Sequence, residues 1–202
     1  MLGLLAATDA RWADAALADL DAVLRDHAHC EMKAASHALS LAVRHTGDVA
    51  LVRRLVALAQ EELEHFDRVL ALLAARGIPL GTPPVDAYAA DLRERVAKLP
   101  RACEAGVVPP IVDRLLVCAL IEARSCERFK LLYERLGEGD ELFAFYKQLF
   151  AAEARHFGEL RELAVSASSE PVVESRLRAV AEIEAAIVGA RAAASDRATI
   201  HG

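Results

Sequence analysis

Glu62-Leu63-Glu64-His65-Phe66 and Glu153-Ala154-Arg155-His156-Phe157 carry one pattern twice, Glu-x-x-His-Phe. Each follows a lone glutamate by the same distance: Glu31 lies 31 residues before Glu62, and Glu122 lies 31 residues before Glu153. On a helix, the i, i+3 spacing sets the carboxylate and the imidazole of each pattern on one face. With 18 glutamates and 7 histidines in 202 residues, chance alone gives roughly 0.6 Glu-x-x-His matches. The information therefore lies in the shared phenylalanine and the shared upstream spacing.

Outward from these patterns the chain reads as helix nearly throughout, because Ala, Leu, Glu and Arg dominate and β-branched and aromatic residues are sparse. Residues 9–24 read as a short helix with Trp12, Leu17, Leu20 and Leu24 at helical spacing. Asp26 is the expected cap of a long helix to about Arg44, and Gly47-Asp48 a turn plus a new N-cap. The stripe Leu51, Leu55, Leu58, Leu63, Phe66, Val69, Leu70, Leu73 predicts a helix over 49–76, ended by Gly77 and the prolines that follow. Residues 77–110 form a connection with a modest helix over 88–98, closed by Pro100 and Pro109-Pro110. Helices are expected over 111–136 and 141–166, joined by the turn Gly137-Glu138-Gly139-Asp140. A last helix spans 168–189, before a polar, irregular tail to Gly202.

Two short turns make two antiparallel helical hairpins, and a long crossover joins them. That is the ferritin-like four-helix bundle, here all-α with extra short helices and a single domain over 1–202. The midpoint between Glu31 and Glu62 falls on the Thr46/Gly47 turn, and that between Glu122 and Glu153 on the Gly137/Glu138 turn. Residues equidistant from a turn lie level in a hairpin, so each pair sits about 23 Å from its turn at 1.5 Å rise per residue. Four glutamates and two histidines at one level are the donor set of a dinuclear metal site. Oxygen-rich ligation with two imidazoles and no thiolate suits iron or manganese rather than structural zinc.

Glu127 competes with Glu122 for the third-helix position, since its midpoint with Glu153 still falls in the glycine turn; the matched 31-residue spacing favours Glu122, leaving Glu127 to an ion pair. Glu61 and Glu64 lack the i, i+3 relation to His65 and read as outward charges. His27 and Cys118, one turn before the lone glutamates, are placed to line the pocket, though a packed core role is favoured for both, and His29, His37, His45 and His201 have no partner pattern. The four cysteines form no Cys-x-x-Cys pair, and three of them lie in apolar helical surroundings and read as small buried thiols.

The N-terminus has no basic region and only a short apolar run, so no signal peptide is expected. No stretch approaches about 18 uncharged apolar residues, so no membrane span and a cytoplasmic location are expected. The formal charge of −6 disfavours a nucleic-acid partner at first sight. Two divalent ions among the four carboxylates would bring it to about −2 and remove that objection.

Ile121-Glu122-Ala123-Arg124-Ser125-Cys126-Glu127-Arg128-Phe129 closely resembles the third-helix signature of the bacterial tRNA 2-methylthio-N6-isopentenyladenosine hydroxylases. Cys30-Glu31-Met32-Lys33-Ala34-Ala35-Ser36, Glu61-Glu62-Leu63-Glu64-His65-Phe66 and Glu153-Ala154-Arg155-His156 resemble the same family, and the likeness runs from about Trp12 to the end. The closing Ala198-Thr199-Ile200-His201-Gly202 matches only loosely. The resemblance implies a non-haem di-iron monooxygenase with two iron ions held by Glu31, Glu62, His65, Glu122, Glu153 and His156. It further implies O2 as co-substrate and an external electron donor. The substrate it implies is the modified adenosine beside the anticodon of certain tRNAs, hydroxylated on a terminal allylic methyl of its isopentenyl group.

Arg53-Arg54, the crossover residues Arg93, Arg95, Lys98 and Arg101, and Arg124, Arg128 and Lys130 near the site are the candidates for phosphate contact. Three rivals remain at this level. A quinone hydroxylase of similar motif requires an apolar membrane-docking surface, which the scattered charges oppose. An iron-storage or peroxide-handling ferritin relative shares the metal motif, though a rubrerythrin-like protein would normally carry the Cys-x-x-Cys module that this sequence lacks. A helical bundle with coincidental motifs would bind no iron.

Overall fold

The structure is a computed structural model, and it describes residues 2–83, 85–192 and 200. It has seven helices and one two-stranded ribbon among the described residues. The chain divides into two compact units, Ala18–Val85 and a second made of Met1–Leu17 with Asp86–Gly202.

The first unit is a helical hairpin. Its helices, α2 (Leu20–Arg44) and α3 (Val49–Ala75), follow a short α1 (Arg11–Ala18), all of which but Ala18 belongs to the second unit. The break lies at Asp19, whose carboxylate accepts from the Ala22 amide at 3.2 Å, not at Asp26. The reason is the apolar stripe: Val23, Leu24, His27, Ala28 and Glu31 are all buried and run straight past Asp26, which sits inside α2. Asp48 caps α3 as expected, accepting from the Leu51 amide at 3.0 Å. Gly77, at φ +65°, ends it, and the Ile78 amide turns back to the Leu73 carbonyl at 2.9 Å. Leu24 and Leu41 on α2 and Leu55 and Leu73 on α3 are fully buried, each stabilising the unit by roughly 1.5–3 kcal/mol.

The second unit is built around α5 (Pro110–Leu136). Pro110 occupies the first turn, where a missing amide costs nothing. Most residues from Ile111 to Phe129 are buried, Asp113, Glu122, Arg124 and Arg128 among them, and Arg114 is the exposed exception. The turn 137–140 leads to α6 (Glu141–Ser166), capped by Asp140, whose side chain accepts from the Leu142 amide at 2.8 Å. α4 (Ala87–Ala97) and α7 (Glu170–Ala192) pack on α5 as well. The last helix runs three residues further than the sequence suggested, to Ala192, because Ala190, Arg191 and Ala192 are all good helix formers; beyond it only Ile200 of the expected irregular tail is among the described residues.

The connection before α5 contains a ribbon that the sequence did not suggest: Ala102–Cys103 (β1) pairs antiparallel with Gly106–Val107 (β2). Two-residue strands carry too short a pattern to read. The ribbon is tied down by buried Asp113 of α5. Asp113 accepts from Arg176 Nε at 2.6 Å and Nη2 at 3.0 Å, and from Arg101 Nη1 at 2.5 Å; Arg176 Nη1 also reaches the Pro100 carbonyl at 2.9 Å. No helix among the described residues is long and apolar enough to cross a membrane.

Candidate metal centre

In the α2–α3 hairpin, Glu31, Glu62 and His65 are all buried. His65 Nδ1 lies 3.7 Å from Glu31 Oε2 and 3.6 Å from Glu62 Oε2. Each of the three offers one ligand atom, and these atoms lie within 4.8 Å of one another. Burial pushes the Glu31 carboxyl up to about 8; His65 pulls the other way, and the charge of Glu62 adds to the rise. Two carboxylates held this close and this dry resist joint ionisation, and a divalent cation between them reverses that. The donor set, two carboxylates with an imidazole and no thiolate, fits iron or manganese.

In the second unit, Glu153 and His156 are buried on α6, with His156 Nδ1 3.1 Å from Glu153 Oε2. Glu122 is buried on α5. Glu127, its sequence competitor, is engaged elsewhere: it accepts from the Thr8 amide at 3.1 Å, from Thr8 Oγ1 at 2.5 Å, and from Arg124. Cys126 is a free thiol that donates to the Phe150 carbonyl at 3.4 Å, and burial pushes it up to about 12, with the charge of Glu153 adding to the rise. Such a thiol is inert as a thiolate ligand at neutral pH.

Two of the expected phosphate contacts are not on the surface. Arg124 is 0% exposed, pairing with Glu184, and Arg128 is buried, donating to the Ile200 carbonyl at 2.8 Å with its guanidinium 5.2 Å from the Trp12 ring centroid. Both charges face protein because this part of α5 is buried. Lys130 is half-exposed beside Glu134, Arg101 pairs with Asp113, and Arg53, Arg93, Arg95 and Lys98 are exposed. Glu64 is exposed, Glu61 half-buried, and His201 lies outside the described residues.

The sequence favoured a core role for His27, and its direct contact with Glu31 was not read there. His27 Nε2 lies 2.6 Å from Glu31 Oε1 in the buried interior of the hairpin. The signal was present as an i, i+4 relation on one helix face, but a lone histidine on an apolar stripe reads as core. His29, to which no partner was assigned, approaches the Leu80 carbonyl through Nε2 at 3.3 Å.

The family model described as tRNA-(MS[2]IO[6]A)-hydroxylase (MiaE) matches residues 2–201. The chain belongs to the MiaE family. Among the MiaE-type relatives, the tRNA 2-(methylsulfanyl)-N(6)-isopentenyladenosine(37) hydroxylase of Pseudomonas putida is 45% identical over 153 residues, 76% of this chain and 70% of that protein. The Salmonella typhimurium protein of the same name is 37% identical over 139 residues, 68% of this chain; the match spans less than half of that protein, 47%. Among solved structures, a Synechococcus protein with aldehyde deformylating oxygenase activity superposes with a TM-score of 0.85 at 37% identity, covering 98% of this chain and 95% of that one. The fold class is therefore the ferritin-like bundle, two hairpins joined by a crossover, as the sequence predicted.

Proposed function

We propose that this protein is a di-iron monooxygenase that hydroxylates the isopentenyl group of 2-methylthio-N6-isopentenyladenosine in tRNA, at the adenosine beside the anticodon. The observation that carries this reading is the family match over residues 2–201, joined by relatives named for that hydroxylation at up to 45% identity. A tRNA substrate implies work in the cytoplasm.

Glu31, Glu62 and His65 from one hairpin and Glu122, Glu153 and His156 from the other are the six proposed iron ligands, gathered in a single ferritin-like domain over 1–202. The support is the matched 31-residue spacing, which in an antiparallel hairpin implies level pairs, and the burial of all six. When bound, two irons with O2 and electrons from an external donor supply the oxidising chemistry. The protein's own residues do the rest. Glu31, whose carboxyl burial pushes up, would give up its proton to bind the metal, and the negative charge of the carboxylates would then be spent on the ions and not on solvent. Each Glu-x-x-His presents its carboxylate and imidazole from one rigid face, which fixes direction without loop motion. Enclosing these groups keeps bulk water from competing for the site. The target base must leave its stack to reach a buried site, and a base in an anticodon loop is already partly unstacked.

The test is a nucleoside mass spectrum of unhydroxylated, isopentenyl-modified tRNA after incubation with iron-loaded protein, reductant and O2. A gain of one oxygen on the modified adenosine is the expected result. No gain, with iron bound and O2 consumed, removes this substrate.

The structural likeness to the Synechococcus protein favours one second reading, an aldehyde deformylating oxygenase activity. Deformylation of an aldehyde under the same conditions, with the tRNA unchanged, is the outcome that would select it.

A further inference from the structure

His27 and Glu31 lie one turn apart on α2, both buried, and the two oxygens of Glu31 are divided between neighbours. Oε1 meets His27 Nε2 at 2.6 Å, while Oε2 lies toward His65, 3.7 Å from its Nδ1. We propose that His27 is a positioning residue: its Nε2–H donates to Glu31 Oε1, holding the carboxylate in the one orientation that leaves Oε2 for the metal. The proposal rests on Glu31 being a ligand, as assigned above.

The physical argument is one of freedom. A glutamate side chain has three torsions, and its carboxylate can ligate through one oxygen or two. Ionised, it only accepts hydrogen bonds, so a donor seated on one oxygen restricts both torsion and mode of ligation. His27 is well suited to that work. It projects from the same helix four residues earlier, so its ring moves with the backbone that carries Glu31. Donation from Nε2 also sets the tautomer of a neutral ring, leaving the proton off Nδ1. Partners that hydrogen-bond a ligating group typically sustain metal affinity by about 10–100-fold. A histidine serving only to fill space would be replaceable by any apolar side chain of similar volume. A histidine that itself bound the metal would not be replaceable by an amide.

Four variants separate these roles: His27→Leu, His27→Met, His27→Gln and Glu31→Ala, each checked for helical content. The readouts are anaerobic Fe2+ affinity and the visible absorption spectrum of the Co2+-loaded protein. His27→Leu is expected to weaken metal binding by about 10–100-fold and to shift the Co2+ bands. His27→Gln, whose amide can donate to the same oxygen, is expected to stay within about threefold of the parent with nearly the parent spectrum. Should His27→Leu fail to fold, His27→Met fills the space without a donor and carries the comparison. Parent affinity and spectrum in the apolar variant overturn the proposal, and so does a His27→Gln protein as impaired as the apolar one. Glu31→Ala keeps the two levels apart. Undiminished metal binding there removes Glu31 as a ligand, whereas loss there with no effect of His27→Leu removes the role of His27 alone.

Discussion

Arg124 on α5 and Glu184 on α7 form a two-pronged ion pair with neither side chain exposed, Nε to Oε1 at 2.9 Å and Nη2 to Oε2 at 3.0 Å. The remaining donors of the guanidinium go to Thr8 Oγ1 at 3.0 Å, to the Ala6 carbonyl at 2.9 Å and to Glu127, so the cation is fully satisfied. Tyr88 Oη on α4 donates to Glu184 Oε1 at 2.9 Å. One arginine thus ties α4, α7 and the N-terminal segment to the helix that carries Glu122. Breaking such a pair strands a charge in a dry interior, which is worse than never having had it. Glu184→Ala is expected to lower unfolding stability by about 3–5 kcal/mol, and the double variant Arg124→Met/Glu184→Leu by much less. Urea denaturation checks both. Equal losses in the two would mean that packing, not charge, is what the site supplies.

Glu122→Ala and Glu153→Ala are expected to abolish tRNA hydroxylation and to reduce iron content from about two per chain to about one or fewer, with the helical signal retained. Iron analysis beside far-ultraviolet circular dichroism reads both quantities on one sample. Full turnover in either variant would sink the ligand assignment. Glu127→Gln is the matched control: its carboxylate is committed to Thr8 and Arg124, so iron content is expected to persist while stability falls by about 1–3 kcal/mol.

How much of this was legible follows from range along the chain. Asp48, Gly77, Pro110 and Asp140 act on their immediate neighbours, and each set its helix end where the sequence placed it, within a residue. The paired motifs were legible because a hairpin turns sequence spacing into height. Asp19 and Asp26 are both competent caps locally; the choice was made by the continuity of Val23, Leu24 and His27, which only packing reveals. Arg124 looked like a surface cation because its partner is 60 residues away, and nothing nearby says that this part of α5 is buried. His27 was the opposite case, a partner four residues away, hidden by the ambiguity of a histidine on an apolar stripe.

Metal loading should depend on pH in a defined sense. In the metal-free protein, burial holds Glu31 protonated up to about 8, with the charge of Glu62 reinforcing it. A metal must displace that proton, so below pH 8 affinity is expected to rise by about tenfold per unit of pH for each proton released, and to level off above it. Anaerobic Fe2+ titration at pH 6, 7, 8 and 9 measures the slope. A flat profile from 6 to 8 would show that Glu31 is already ionised before the metal arrives.

The substrate surface yields a prediction that sorts the arginines. Arg93 and Arg95 are exposed on α4 and free to meet phosphates, whereas Arg124 and Arg128 are enclosed. Phosphate contacts add affinity with little regard to sequence and release counterions, so each is expected to contribute about one unit of salt dependence. Arg93→Ala/Arg95→Ala should weaken tRNA binding at low salt, flatten the salt slope by about two, and leave the iron content unchanged. Arg124→Met should lower stability but keep the slope of the folded protein. Fluorescence anisotropy with labelled tRNA across a salt series reads the slope directly. An unchanged slope in the α4 variant would move the docking surface elsewhere, with the exposed Arg53 of α3 the next to replace.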